Sequence, residues 1–154
     1  MTVVVSLRAI VGEMDVLSDE FHAYLNKETG ELVTISDEEI RAIENEDDWA
    51  EYPDWQQEAL ATAKKVLDSR DYVLLPSKFD IHEYAIMERF CGSLEDPKLG
   101  DELSRQIRGK GAFRRFKETL YRFGIEDDWY RYRDQALEEI AIDWLESEGI
   151  AFSK

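Results

Sequence analysis

The chain predicts an α+β fold, mostly helical, built as a single domain over residues 1–154 with a small antiparallel hairpin or sheet from about 21–35 and 72–75. Three observations predict it. Most segments place apolar residues at helical spacing behind a capping residue. Two segments run instead as short strand-like stretches around a glycine turn. The 154 residues, 44% hydrophobic and 12% aromatic, suffice for one buried core, and no linker or low-complexity tract divides them.

Taken in order, Ser6 caps a first helix with Leu7, Ile10, Val11, Met14 and Leu17 on its apolar side. Phe21–Asn26 and Leu32–Ile35 read as strands around the turn Lys27–Glu31, where Gly30 can take a positive φ. Ser36-Asp37-Glu38-Glu39 is a capping box that opens a helix from 37 to about 45. A loop of alternating acids and aromatics follows, from Glu44 to Asp54, with Trp49 and Trp55 expected to anchor it. Pro53 suits the first turn of a helix that runs to about Asp68 with Leu60, Ala63, Val66 and Leu67 inward. Tyr72–Leu75 is a short strand, and Pro76 places it at a sheet edge.

Asp80 reads as the cap of a helix that carries Ile81, Tyr84, Ala85, Met87 and Phe90 inward to about Gly92. Pro97 opens the next, through Leu99 and Leu103 to Ile107. Gly109 and Gly111 break the chain. A helix over 112–123 then puts Phe113, Phe116, Leu120 and Phe123 on one face, and Gly124 ends it. Glu126, Asp127 and Asp128 suit the start of the last helix, about 127–147, with Trp129, Tyr132, Ala136, Ile140 and Trp144 in one stripe and Gly149 at its end.

Charge is polarised along the chain. The formal net charge is −16, yet residues 105–133 carry nine basic and four acidic side chains. The overall sign argues against general binding to DNA or to anionic membranes. No apolar run approaches the roughly 18–20 residues that cross a bilayer, so no membrane association is expected. One cysteine, Cys91, excludes an intramolecular disulfide and a cysteine-rich zinc site. With no secretory leader in view, a cytoplasmic location is expected.

Four segments carry a resemblance. They are Tyr24–Glu31, Leu75–Asp80, Ile86–Cys91 and, most specific, Gly109-Lys110-Gly111-Ala112-Phe113-Arg114-Arg115-Phe116-Lys117. With them the chain resembles a bacterial uncharacterised protein family, UPF0158, over nearly its whole length. The resemblance implies a single bacterial domain. It implies no activity, so no catalytic residue is carried over from it.

The residues themselves nominate two surfaces. The first is a candidate anion site of Arg105, Arg108, Lys110, Arg114, Arg115 and Arg122, a stretch in which Glu118 is the one acid. Arg114, Arg115 and Arg122 lie away from the apolar face of their helix, where they can meet phosphate. The alternative use is internal: Arg114–Glu118 and Glu118–Arg122 have pairing distance in sequence. Lys117 and Arg133 fall at the edge of apolar stripes, their stems expected to cover the core and their heads to find carboxylates. The second surface is acidic: Glu44, Glu46, Asp47, Asp48, Glu51 and Asp54. Its spacing is not that of a calcium loop.

Enzyme signatures are weak. His82-Glu83 opens like a zinc-protease helix, but Ile86 stands where the second histidine belongs. His22, His82 and Cys91 share no catalytic spacing. The pair of helices at 112–123 and 127–147 is a poor DNA reader, because the second turns acidic beyond Arg133. No catalytic residue, metal ligand or cofactor is expected. The residues favour a non-enzymatic binding or regulatory module that contacts an anionic ligand or nucleic acid through the basic helix face, with a protein partner as a further possibility. The first alternative is an acidic mimic of nucleic acid that binds a basic protein. The second is a small enzyme.

Overall fold

The structure is a computed structural model that describes residues 3–46 and 48–154. Its fold is α+β, helical for the most part. Packing groups the chain into two compact units, Met1–Asp80 with Ile140–Lys154, and Ile81–Glu139.

The first unit starts with β1 (Val4–Ser6) and α1 (Leu7–Val16). Ser6 accepts the Ala9 N–H at 3.2 Å and so caps α1, whose Leu7, Ile10 and Met14 are buried. β2 (Phe21–Asn26) and β3 (Leu32–Ser36) form the antiparallel hairpin in the register Phe21↔Ser36 to Leu25↔Leu32. Its turn is held by Asn26, whose Oδ1 accepts the N–H of Glu28 at 2.8 Å and of Thr29 at 3.1 Å. Gly30 completes the turn with a φ of 79°. β4 (Tyr72–Leu74) pairs with β2 and lies at the sheet edge, in the order β3-β2-β4. Pro76 follows after Leu75, as an edge position permits.

α2 (Asp37–Glu44) begins on the predicted capping box. The Glu39 N–H donates to Ser36 Oγ at 3.2 Å, and that hydroxyl donates back to the Glu39 carboxylate at 3.0 Å. The return bond therefore joins the two side chains. α3 (Asp54–Asp68) follows a 3-10 turn at Trp49–Glu51, with the Pro53 carbonyl accepting its first bonds. Ile35, Ala63 and Val66 form a buried cluster with Tyr24, Val33, Ile40, Ile43, Leu67 and Tyr72 packed around it. β5 (Ala151–Ser153) pairs in parallel with β1, Val4 opposite Ala151. This pair has no counterpart in the sequence expectation.

A short α4 (Lys78–Ile81) corrects one boundary. Asp80 was expected to cap; it lies inside α4 instead. Ser77 is the cap, accepting the Asp80 N–H at 3.2 Å, while the Asp80 carboxylate accepts the Ser77 N–H at 3.0 Å. The next helix starts only after His82, which adopts a left-handed φ of 53°.

The second unit contains α5 (Glu83–Ser93), α6 (Pro97–Gln106) and α7 (Ala112–Phe123). α8 (Glu126–Ser147) adds its residues up to Glu139. Asp96 caps α6, and Gly124 ends α7 with a φ of 68°. Phe90, Phe116 and Trp129 make the aromatic centre: Phe116 and Trp129 meet edge-on with centroids 4.8 Å apart, Phe90 and Trp129 at 5.3 Å. Tyr132 lies 5.4 Å from Phe90. Gly100 sits so close to α5 that a Cβ there would come within 2.6 Å of the Cys91 carbonyl oxygen.

Candidate anion-binding surface

The basic stretch is organised by one loop. α6 ends at Gln106, and Gly109 and Gly111 then take left-handed φ values of 77° and 76°. Such backbone favours glycine, since a Cβ strains it. The loop turns three alternate carbonyls toward one guanidinium. Arg115 donates through Nε to Gln106 O at 2.9 Å and through its two terminal nitrogens to Lys110 O and Arg108 O. A planar fork with five donors can serve three carbonyls together, which an ammonium cannot do in one plane. A Cβ on Gly111 would press on Arg115 Nη1 at 3.1 Å. Glycine, glycine and Arg115 thus act as one device, and Arg115 is half-buried within it.

The other cations face solvent. Arg105 pairs with Glu102, and Arg122 reaches the same carboxylate at 3.6 Å. Hydrogen bonds from Arg105, then from Gln106, hold the Glu102 carboxyl below the usual range. Arg122 thereby takes Glu102 in place of the expected Glu118. Arg114 does pair with Glu118, at 3.1 Å, with the two side chains 85% and 63% exposed. Pairs this open are worth about 0–1 kcal/mol and exchange readily for another anion. The side chains of Arg108, Lys110 and Lys117 are exposed and have no hydrogen bond or ion pair among the described residues. Lys117, expected to cover core atoms, lies on the open face. Arg133 behaves as expected, with Nε 2.7 Å from Glu83 Oε1.

Aromatic side chains share that open face. α7 buries Phe116, Thr119 and Leu120. Phe113 and Phe123, expected on the buried stripe, are 50% and 42% exposed, and Tyr121 is 76% exposed. The helix is rotated so that its contact line passes through 116 and 120, leaving the ends of the predicted stripe outside. Arg122 lies over the Phe123 ring, 5.1 Å from its centroid. The sequence signal for this face was available: Phe113, Lys117 and Tyr121 recur every four residues.

The acidic candidates spread over loop and helix ends. Glu44, Glu46, Asp48, Glu51 and Asp54 are all exposed, and Asp47 lies outside the described residues. Asp48 has a local role, accepting the Ala50 N–H at 3.0 Å. Trp55 does not anchor the loop, being 71% exposed, whereas Trp49 is half-buried. Among the described residues no group of three His, Cys, Asp or Glu side chains is placed to hold a metal ion. No helix among them is long and apolar enough to cross a membrane.

The remaining reactive side chains have structural settings. His22 Nε2 lies 2.5 Å from Asp37 Oδ1, tying β2 to the start of α2. Sequence spacing gave no sign of that pair, fifteen residues apart. Asp37 also lines an open depression of about 560 Å³ with Glu38, Arg41 and Tyr52. Cys91 is buried, and burial pushes its thiol up, against a smaller opposite effect of the Ser104 hydrogen bond. A thiol in that state is a poor nucleophile.

Comparison with known proteins adds family and no chemistry. No solved structure matches the chain. A UPF0158 protein of Pseudomonas aeruginosa is 27% identical over 128 residues, which span 82% of this chain and 72% of that protein. The model of an uncharacterised protein family, UPF0158, matches residues 2–154, so the glycine and arginine loop stands within a family-wide match and the chain belongs to UPF0158.

Proposed function

We propose that the chain is an intracellular, non-enzymatic binding module that takes a nucleic acid on the basic face formed by the 107–111 loop and α7. The single observation that supports it most is the set of cationic side chains of Arg108, Lys110 and Lys117, exposed and without a partner among the described residues. Around them stand Arg114 and Arg122, whose own pairs are solvent-exposed. The charge distribution supports the same reading. The first unit holds 8 basic and 22 acidic residues, the second 11 and 13. The unit that carries the basic face is therefore nearly balanced in charge, despite a total of −16.

Salt titration tests this. About three phosphate contacts predict a roughly 20- to 40-fold loss of affinity for labelled RNA or DNA between 50 and 200 mM salt. Arg108→Glu with Lys110→Glu removes most of that dependence. Arg115 is left intact in the test, because its substitution would disturb the loop itself. Salt-independent binding, or affinity unchanged in the double variant, rejects the proposal.

The acidic first unit favours a second reading, a mimic of nucleic acid that engages a basic protein. Trp55 supports it, exposed beside Glu51, Asp54 and Glu58. Pull-down at low salt that returns no basic partner, with the wild type and Trp55→Ala alike, rejects this reading.

A further inference from the structure

We infer that the open face of α7 binds single-stranded nucleic acid, with Phe113 and Tyr121 as platforms for two unpaired bases and Lys117 on the backbone between them. The inference rests on the nucleic-acid reading above and narrows its ligand. Phe113, Lys117 and Tyr121 follow at intervals of four, so they form one row along the helix. The two rings are 50% and 76% exposed, and Lys117 between them is exposed as well. Arg114 flanks the row with an 85% exposed side chain. A single exposed aromatic is ordinary. Two on one row, separated by a cation without a partner among the described residues, match the alternation of bases and phosphates in a strand.

Spacing decides between strand types. Eight residues of helix separate Phe113 from Tyr121 by about 12 Å. A stacked strand advances about 3.4 Å per nucleotide. The two rings therefore cannot take neighbouring bases of a stack. They suit a drawn-out strand whose bases have left one another, and unpaired strands adopt that form readily. A duplex keeps its base faces covered and gains only from the cations. Stacking on aromatic rings is also tolerant of base identity, so little sequence preference is expected.

Fluorescence anisotropy with the full chain at 50 mM salt tests this, using labelled 16-nucleotide oligo(U), oligo(dT) and a 16-base-pair duplex. Both single strands are expected to bind at least tenfold more tightly than the duplex. Phe113→Ala and Tyr121→Ala should each weaken single-strand binding roughly five- to 150-fold and leave the duplex unchanged. Tyr121→Phe should retain the wild-type affinity, since a ring suffices. Tyr121→Ala alone guards against misfolding, because that side chain is the more exposed of the two. Equal affinity for duplex and single strand, or single-strand binding indifferent to both alanine variants, overturns the inference. If Arg108→Glu with Lys110→Glu still abolishes binding in that case, the basic-face reading survives without the stacking. If none of the three probes binds, both readings fall.

Discussion

Arg115 donates three hydrogen bonds to main-chain carbonyls, one at the end of α6 and two in the loop that follows it. Its removal would leave Gln106 O, Arg108 O and Lys110 O without their charged partner. Arg115→Ala is therefore expected to destabilise the fold by about 1–3 kcal/mol, and Arg115→Lys to recover less than half of this, since one ammonium cannot reproduce the planar fork. Chemical denaturation measures both. Cys91 offers a second test. Its folded thiol is raised, so the fold favours the neutral form. That contribution is fully present below the unfolded thiol's pKa and is lost as pH rises through the higher folded one. Tyr24, raised by burial, follows the same sign at higher pH. At pH 8 a thiol reagent should label Cys91 at least tenfold more slowly in the native protein than in denaturant. Equal rates would show that the site opens freely. Glu102 has the opposite sense: its depressed carboxyl favours the fold above the ordinary carboxylate range and loses that effect as pH falls through its folded pKa.

Between elements, α6 approaches α5 closely at Gly100. Helix propensity alone makes Gly100→Ala favourable by about 1 kcal/mol. Here the new methyl would stand 2.6 Å from Cys91 O, a backbone atom that cannot swing aside. Overpacking of this kind costs about 1–3 kcal/mol, and with a rigid neighbour the upper part of that range applies. The expected result is a net loss of about 1–2 kcal/mol, read as a fall in melting temperature of several degrees. A rise on this substitution would mean that α5 and α6 separate easily. At the start of α2, Ser36→Ala removes the acceptor of the Glu39 N–H and the donor to its carboxylate. A loss of about 1 kcal/mol is expected by the same measurement.

For the whole molecule the dominant electrostatic fact is self-repulsion. A net charge of −16 is concentrated in a first unit with 22 acidic and 8 basic residues. Screening shortens the range of that repulsion to about 3 Å at 1 M salt. Raising sodium chloride from 10 mM to 0.5 M should therefore increase the melting temperature by roughly 2–4 °C, the equivalent of about 1 kcal/mol for a chain of this size. The same salt should weaken the nucleic-acid binding proposed for the basic face. Stability and binding are thus expected to respond in opposite directions, and parallel responses would show that one charge set governs both.

Local rules made much of the fold readable. The Ser36–Glu39 box, the turn at Gly30, the stop at Gly124 and the bounds of the helix over 112–123 each depend on neighbours within four or five residues, and each lies where the residues place it. The β1–β5 pair was not readable, since Val4 meets Ala151 across almost the entire chain and three-residue strands carry no periodic signal. Asp80 missed as a cap because Ser77 competes one turn earlier with the same chemistry. On the candidate surface, composition alone located the basic stretch between 105 and 122. It could not separate Arg114 from Arg115, which are adjacent and identical. Tertiary structure separates them: two left-handed glycines aim carbonyls at Arg115 and leave Arg114 in solvent. Rotation of α7 likewise decides that Phe113 is exposed while Phe116 is buried. By itself the sequence determined which charges and rings share a helix, because that follows from helical spacing. Which of them remain open to a ligand was decided only by packing, because burial and partner geometry depend on residues brought close by the fold.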